Sequence, residues 1–250
     1  MTEKLTEYQE LILAALLHDI GKFYQRAGFK LNLAGNSGDA FAFDNYTKRF
    51  GSEQNPKYYY YHSAMTDKFF REYLPPALDM VGHLAALHHV PENANEPRQR
   101  YLAKMIELAD WLSAGERTQS DVDETTNPKT EPLISIFSQL SLNEDNNDKD
   151  KKFKKDSYLP LGQLDPAMRC LFPVDDKAKA FQTETYQSLW DKFILDLKSL
   201  REEEFLTQLY YLLQKDTILI PSAAYKELAD ISLFHHLKSV AAITACLYQL

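Results

Sequence analysis

The segment LILAALLHDIGK, residues 11–22, carries the main signal for the fold. Its leucines and isoleucines recur at steps of three, four and seven, which predicts an amphipathic helix with a plausible stop at Gly28. His18 and Asp19 fall inside this apolar segment, where burial of an ionisable pair is costly unless something compensates. A divalent metal ion is one possible partner, since imidazole and carboxylate are both good ligands. A hydrogen-bonded core histidine beside a surface aspartate is the other, and for this dipeptide alone it is favoured.

Further helical segments carry a His or an Asp where the apolar pattern calls for a core residue. These residues are His62, the pair His88 and His89, Asp110, and His236. Each case taken alone favours an ordinary core side chain, but together they predict a metal site inside a helical bundle. His83 lies on a different face from His88, and His235 points away from the stripe of His236. We therefore expect His83 to have a structural role and His235 to take no part in the metal site.

Outside these motifs the pattern predicts one domain. Helices are expected over 62–74, 79–90, 98–114, 177–214 and 233–250, with an irregular stretch over 31–58. Strands are expected at 133–142, 158–164 and 217–220, with a charged loop at 143–156. This divides the domain into a helical core (1–118), a β-hairpin and loop insertion (119–176) and closing helices (177–250). Because the last helix stays apolar to its final residue, we expect the natural chain to continue.

The composition narrows the class of protein. With 250 residues, of which 44% are hydrophobic, the chain can fill a core, so a wholly disordered protein is excluded. No apolar run approaches the ~20 residues of a membrane span, so no membrane partner is expected. Cys170 and Cys246 cannot form a disulfide framework, which favours a reducing, cytoplasmic location. A net charge of -8 argues against binding nucleic acid by charge alone, so such chemistry requires a local site with cations.

The order of these motifs, HD, then H, HH and D, resembles the HD superfamily of metal-dependent phosphohydrolases. It is closer still to the permuted HD domain at the N-terminus of the large signature subunit of type III CRISPR effector complexes, of the III-A kind. The motifs that carry the resemblance are LLHDIGKFYQRA (16–27), YHSAMTDKFF (61–70), AALHH (85–89), ELADWLSAGER (107–117) and IPSAAYKELADISLFHHLKSVAAIT (220–244). They cover nearly the whole chain.

The resemblance implies a mostly α, circularly permuted HD helical bundle with a small β-hairpin insertion. It also implies one or two divalent transition-metal ions of the manganese, nickel, cobalt, iron or zinc class. One ion would be held by His18, Asp19, Asp110 and His236. The other would take His62, His88 and His89, with Asp19 bridging the two. The catalytic residues would be His18, Asp19 and Lys22.

Basic and aromatic residues near these motifs have two interpretations each. Lys22 lies one turn after His18 and Arg26 one turn further, so either can meet a phosphate or remain a solvated helix end. Arg117 shares the face of Asp110 and is either a phosphate contact or a structural ion pair. The run Tyr58–Tyr61 can stack on bases, although an aromatic helix start packed on the core is favoured.

By this resemblance the chain is expected to hydrolyse single-stranded DNA, as an endonuclease or exonuclease, within a type III CRISPR antiviral defence complex. Its partners would be the other subunits and the guide RNA, bound through the full-length chain. The whole subunit would also make cyclic oligoadenylate in a palm domain, which we do not expect here because the chain has no Gly-Gly pair. Two alternatives stay open. One is an HD phosphohydrolase acting on nucleotides or cyclic dinucleotides, and the other is a catalytically idle docking module.

Overall fold

The computed structural model describes residues 5–52, 55–114, 129–139, 156–165, 172–182, 184–223 and 229–250. Within these ranges the chain is mostly helical, as predicted. The α-helices are α1 (Glu7–Leu17), α2 (Ile20–Arg26), α3 (Gly38–Tyr46), α4 (Tyr61–Tyr73), α5 (Asp79–Ala86), α6 (Pro97–Ala114), α7 (Tyr186–Leu197), α8 (Phe205–Thr217) and α9 (Leu233–Tyr248). The strands are β1 (Lys48–Ser52), β2 (Asn55–Tyr59), β3 (Leu133–Ile134) and β4 (Tyr158–Leu159).

The first helical segment is interrupted at the HD pair. α1 begins with a capping box at Thr6, but it ends one residue before His18, and α2 begins directly after Asp19. The backbone of Asp19 lies outside the helical range, with φ -107° and ψ 9°. The prediction of one unbroken helix to Gly28 was therefore wrong, although Gly28, with φ +99°, does follow the end of α2.

The stretch 31–58 was predicted to be irregular, and the structure corrects this with α3 and the hairpin β1–β2. Ser37 caps the start of α3, and its hydroxyl accepts a hydrogen bond from the amide three residues later. The two strands pair antiparallel, beginning with Lys48 opposite Tyr59. Polar and aromatic residues are mixed along this hairpin, so it lacks the apolar alternation by which a half-buried strand is recognised.

The core forms where the helices that carry the candidate ligands converge. α1 packs against α5 and α9, α2 against α4, and α6 against α9. Leu17, Phe69 and Leu237 are among the fully buried side chains between them. α2 and α4 approach most closely at Gly21, where an added Cβ would lie 2.0 Å from the carbonyl oxygen of His62. This close approach sets the HD pair directly beside the first turn of α4.

The two strands predicted after α6 are shorter than expected. β3 and β4 pair antiparallel over two residues each, and a 3-10 helix (Ile136–Gln139) follows β3. After β4 the chain continues without strand structure to Asp165. Residues 140–155, which include most of the predicted charged loop, lie outside the described residues.

The closing segment is divided more finely than the sequence indicates. The predicted helix over 177–214 consists of two 3-10 helices (Ala178–Phe181 and Glu202–Glu204), α7 and most of α8. The strand predicted over 217–220 is wrong, because Thr217 is the last residue of α8 and its hydroxyl donates to the Leu213 carbonyl. In the part of the chain that the structure describes, no helix combines the length and apolar character of a membrane span.

Candidate metal centre

Seven side chains predicted as metal ligands converge in the core from five places in the chain. The break between α1 and α2 supplies the HD pair, and α4, the 3-10 turn after α5, α6 and α9 supply the rest. They form two groups: His18, Asp19, Asp110 and His236 in the first, and His62, His88 and His89 in the second. Within each group the potential ligand atoms all lie within 4.8 Å of one another.

The first group is built around two carboxylates. His236 Nε2 lies 3.0 Å from Asp110 Oδ1 and 3.4 Å from Asp19 Oδ2. His18 Nε2 lies 3.4 Å from Asp19 Oδ2 and 3.7 Å from Asp110 Oδ1. All four residues are more than nine-tenths buried. Ligands that each lie about 2.0–2.2 Å from one ion are themselves separated by roughly 3–4 Å, so the spacing suits a single ion.

The second group consists of imidazoles and faces the other oxygen of Asp19. His62 Nε2 and His89 Nε2 are 3.1 Å apart. Asp19 Oδ1 lies 3.2 Å from His62 Nε2 and 3.8 Å from His88 Nε2. Asp19 thus presents Oδ2 to the first group and Oδ1 to the second, which is the arrangement of a bridging carboxylate.

Hydrogen bonds on the far side of three imidazoles fix their orientation. The Nδ1–H groups of His18 and His88 each donate to the carbonyl oxygen three residues earlier, at 2.8 and 2.7 Å. Nδ1 of His236 lies 3.0 Å from the hydroxyl of Ser113. These contacts turn Nε2 of each ring toward the carboxylates, as outer partners do for histidines that bind metals.

Burial prepares the second group for ligation. It lowers the pKa of His62 to about 3 and that of His88 to about 4, and it also lowers the pKa of His89 well below its ordinary value. The three imidazoles are therefore neutral at pH 7. Since neutral imidazole is the form that binds a metal ion, these histidines need release no proton to become ligands.

The first group carries more charge. Burial by itself lowers the pKa of His18, but the carboxylates of Asp19 and Asp110 raise it to about 9. Burial by itself raises the pKa of Asp19, whereas Lys22 and His18 hold it well below its ordinary value. Both effects have one cause, which is that buried carboxylates require positive charge nearby.

Three buried ligand atoms have no hydrogen-bond partner among the described residues. They are Nε2 of His18, Nε2 of His88 and Oδ1 of Asp19, and all three face the centre of the cluster. A buried polar atom without a partner is costly, and its presence calls for an explanation. Cations between the two groups would supply that partner, so the residues present fit a metal centre.

The predicted phosphate-binding residues have different environments. Lys22 Nζ lies 2.5 Å from Asp19 Oδ2, and 19% of its side chain is exposed, so it stands at the edge of the cluster. Arg26 is buried, and it donates to the carbonyl oxygen of Pro221 and lies over the ring of Tyr186. The structure thus gives Arg26 a packing role and corrects its assignment to phosphate. Arg117 lies outside the described residues.

The two histidines left out of the ligand set have partners elsewhere. His83 Nδ1 lies 2.6 Å from the hydroxyl of Tyr46. His235 Nδ1 lies 2.8 Å from the hydroxyl of Ser232, at the start of α9. Neither belongs to the two groups described above.

Two further residues hold the cluster in place: Thr66, which the sequence did not single out, and Tyr60, which lies in the tyrosine run noted above but whose contact with His89 was not predicted. The Thr66 hydroxyl donates to the carbonyl of His18 and accepts from the amide of Gly21, so it joins α4 to the break in the first helix. Tyr60 has a left-handed backbone, with φ 63°, and its ring stacks on His89 at 3.9 Å. Both contacts join distant parts of the chain, so no local pattern announces them.

These features define the class. A helical core in which an HD pair meets further His and Asp residues is the arrangement of an HD domain, and residues 1–115 match the HD domain family. This part of the chain therefore resembles an HD domain. His236 lies beyond the matched span, so its place in the first group comes from the closing helix rather than from the family match.

A particular relative extends the likeness over nearly the whole chain. The chain is 32% identical over 256 residues to the CRISPR system single-strand-specific deoxyribonuclease Cas10/Csm1 (subtype III-A) of Methanocaldococcus jannaschii. The alignment covers 98% of this chain and 28% of that relative. The resemblance predicted from the five motifs is thereby confirmed.

Solved structures show the same fold. A Csm1–Csm4 subcomplex of the type III-A CRISPR-Csm interference complex matches with a TM-score of 0.55 and 17% identity, over 98% of this chain and 28% of that one. Csm1 of T.onnurineus matches with a TM-score of 0.54 and 17% identity, over 96% and 28%. A Csm1–Csm4 cassette in complex with cA4 gives 0.54 and 16%, over 97% and 28%. The chain thus spans about 28% of the length of these relatives.

Proposed function

We propose that this chain is a metal-dependent phosphodiesterase domain that cleaves single-stranded DNA. The observation that carries the proposal is the position of Asp19, which offers one carboxylate oxygen to each of two histidine-containing groups. Two cations held in this way suit the attack of a water on a phosphodiester, because both the attacking and the leaving oxygen need positive charge nearby. No serine or cysteine nucleophile is required.

The ligands divide between two ions in this proposal. The first ion would be held by His18, Asp19, Asp110 and His236, and the second by His62, His88 and His89, with Asp19 placed between the two groups. Mixed imidazole and carboxylate ligands suit manganese, nickel, cobalt, iron or zinc better than magnesium or calcium. When bound, such ions lower the pKa of a coordinated water and stabilise charge on phosphate oxygens. A single ion in the first group is the simpler alternative, and the experiment below distinguishes it from the two-ion centre.

Lys22 has a binding role in this proposal. Its ammonium group reaches the cluster from the solvent side and already pairs with Asp19. A phosphate that approaches the cluster from solvent meets this charge first. Lys22 therefore orients the substrate, and the HD pair supplies the ligands at which the reaction takes place.

The substrate and the setting follow from the relatives. The relative from Methanocaldococcus jannaschii is named for a single-strand-specific deoxyribonuclease, and Csm1 is found with Csm4 in a type III-A interference complex. We infer that this chain acts in the cytoplasm within such a CRISPR complex, together with its other subunits and a guide RNA. We place cyclic oligoadenylate synthesis in a palm domain outside these 250 residues.

The test compares the wild type with Asp19→Ala and with Asp44→Ala, which removes an exposed carboxylate on α3. Each protein is loaded with Mn²⁺, freed of excess metal and analysed for manganese per chain, for its unfolding curve and for cleavage of end-labelled single-stranded and duplex DNA. Asp19→Ala should lose bound manganese, and its cleavage rate should fall by more than about 100-fold. That factor is the upper end of what is lost when a residue that supports a metal ligand is replaced. Asp44→Ala should match the wild type.

The outcomes separate the alternatives. Two manganese ions per wild-type chain support the bridged centre, and one supports the single-ion form. Equal cleavage by wild type and Asp19→Ala would refute the proposal. Faster turnover of nucleotides or cyclic dinucleotides than of DNA would favour a small-molecule phosphohydrolase. Metal binding without hydrolysis of any of these substrates would favour a docking module.

A further inference from the structure

One face of the β1–β2 hairpin alternates lysine and aromatic side chains. Lys48 is paired with Tyr59 and Phe50 with Lys57, and residues paired across an antiparallel ladder project to the same side. All four are exposed, with 46% of Phe50 and 50% of Tyr59 accessible to solvent. We call these four residues the hairpin face.

The hairpin face is the outer side of the hairpin. On the opposite side the ring of Tyr58 packs against Phe43 of α3 at 4.6 Å, so that side is turned toward the domain. On the hairpin face the rings of Phe50 and Tyr59 lie 5.0 Å apart in an edge arrangement, and Lys48 Nζ lies 5.9 Å from the Phe50 ring. Tyr58 thus contacts α3 although 44% of it is exposed, whereas the rings of Phe50 and Tyr59 contact each other and are exposed to a similar extent.

The hairpin and its neighbouring residues carry a net positive charge, whereas the whole chain is net negative. Residues 47–60 contain Lys48, Arg49 and Lys57 against the single acid Glu53, whereas the whole chain has a net charge of -8. Clustered cations in an acidic protein mark a surface for an anionic partner. Interleaved aromatic rings add a surface on which flat groups can stack.

The hairpin face continues into the metal centre. β2 ends at Tyr59, and the next residue, Tyr60, stacks on His89 of the second group. Because Tyr60 follows β2 directly, the end of the hairpin lies beside the second group.

We propose that the hairpin face is a docking surface for single-stranded DNA, which it leads toward the metal centre. The lysines bind phosphates and the rings of Phe50 and Tyr59 stack on bases. A single strand fits better than a duplex, since bases in a duplex are already stacked on one another and do not expose their faces. The inference rests on the proposed function, which supplies the substrate class.

The test measures binding apart from cleavage. Anisotropy of fluorescent oligo-dT is titrated with the chain in EDTA, at several salt concentrations between about 50 and 200 mM. The variants are Phe50→Ala/Tyr59→Ala, which removes the rings, and Lys48→Gln/Lys57→Gln, which removes the charges but keeps an unbranched polar side chain. A matched control, Lys198→Gln/Tyr211→Ala, alters one exposed lysine directly after α7 and one exposed tyrosine on α8. Unfolding curves accompany each protein.

Each pair of substitutions has its own signature. Losing the two rings should raise the Kd at least about tenfold with an unchanged salt slope. Losing the two lysines should flatten the slope of log Kd against log salt by about 1.4, since each phosphate contact to a single strand contributes about 0.7. The control should bind like the wild type.

Several results would overturn the inference. They are wild-type affinity in the ring variant, an unchanged salt slope in the lysine variant, tighter binding of duplex than of oligo-dT, or no measurable wild-type binding at low salt. Cleavage with Mn²⁺ is measured on the same proteins. Binding with the expected signatures but without cleavage would refute the proposed function alone. Cleavage at the wild-type rate by both the ring variant and the lysine variant would refute the role of the hairpin face alone.

Discussion

Replacing Gly21 with alanine should disrupt the metal centre without altering any proposed ligand. Gly21 lies where α2 crosses α4, and an added Cβ would meet the His62 carbonyl oxygen at 2.0 Å and the Thr66 amide nitrogen at 2.6 Å. Both neighbours are backbone atoms, so neither can rotate away. The glycine in the HDIGK segment is therefore a packing requirement between two helices, one of which follows Asp19 while the other carries His62.

The size of the disturbance follows from these distances. Cβ contacts shorter than 3.0 Å are essentially never found, so the two helices must separate by at least about 1 Å at this crossing. Asp19 Oδ1 and His62 Nε2, now 3.2 Å apart, would move to about 4 Å if the helices shift as rigid bodies. Metal sites tolerate about 0.2 Å. We expect an overpacking cost of about 1–3 kcal/mol and a metal affinity lowered about 10–100-fold.

Two measurements separate these effects. Thermal unfolding of the metal-free chain gives the stability cost, which at this chain length corresponds to a fall in Tm of roughly 2–10 °C. Calorimetric titration with Mn²⁺ below the Tm gives the affinity of the folded protein. Gly38→Ala is the matched control, because its Cβ would meet only the movable end of the Arg71 side chain at 2.7 Å.

The reasoning fails if folded Gly21→Ala binds Mn²⁺ as tightly as the wild type. It also fails if Gly38→Ala loses as much metal affinity as Gly21→Ala, since the effect would then not depend on the α2–α4 crossing. A loss of stability alone would show that the helices can separate without disturbing Asp19 and His62.

Three further predictions concern single side chains. Burial raises the pKa of Asp216 to about 6 in the folded chain, so the folded state binds the extra proton and loses stability as the pH rises from about 4 to 6. Asp216→Asn should therefore be more stable than the wild type above pH 6, by up to about 3 kcal/mol, and equal near pH 4; denaturant unfolding that shows a pH-independent difference would contradict this. Ser113→Ala removes the hydroxyl beside His236 Nδ1 and should weaken Mn²⁺ binding about tenfold without a change in Tm. Calorimetric titration measures this affinity, and an unchanged affinity would refute the prediction. Tyr60 has a left-handed backbone, so the free energy of unfolding of Tyr60→Gly should exceed that of Tyr60→Ala by about 1 kcal/mol. Urea unfolding measures this difference, and equal midpoints would show that this conformation carries no strain.

The helical pattern made most of the core predictable. Apolar stripes placed His62, His88, Asp110 and His236 on inward-facing sides, and the structure brings all four together with the HD pair. Periodicity reports which face of a helix is buried, however, and not where the backbone departs from the helix. The break at Asp19 therefore escaped prediction.

What the sequence could not predict depends on contacts between distant residues. Thr66 supports His18 across 48 positions, and no local pattern records this partner. Arg26 was placed on the face of His18 by its spacing, but the chain near Pro221 covers that face and takes up its guanidinium group. In the hairpin, exposed aromatic residues obscured the alternation by which strands are usually recognised.

The first group of the metal centre joins opposite ends of the described chain, since His18 follows α1 and His236 belongs to α9. Such a contact closes a loop of more than two hundred residues, so it forms late, after the local helices are in place. A polypeptide still emerging from the ribosome holds its HD pair long before it holds His236. Completion of the centre is thus tied to completion of folding, and an unfinished or misfolded copy carries only part of the proposed ligand set.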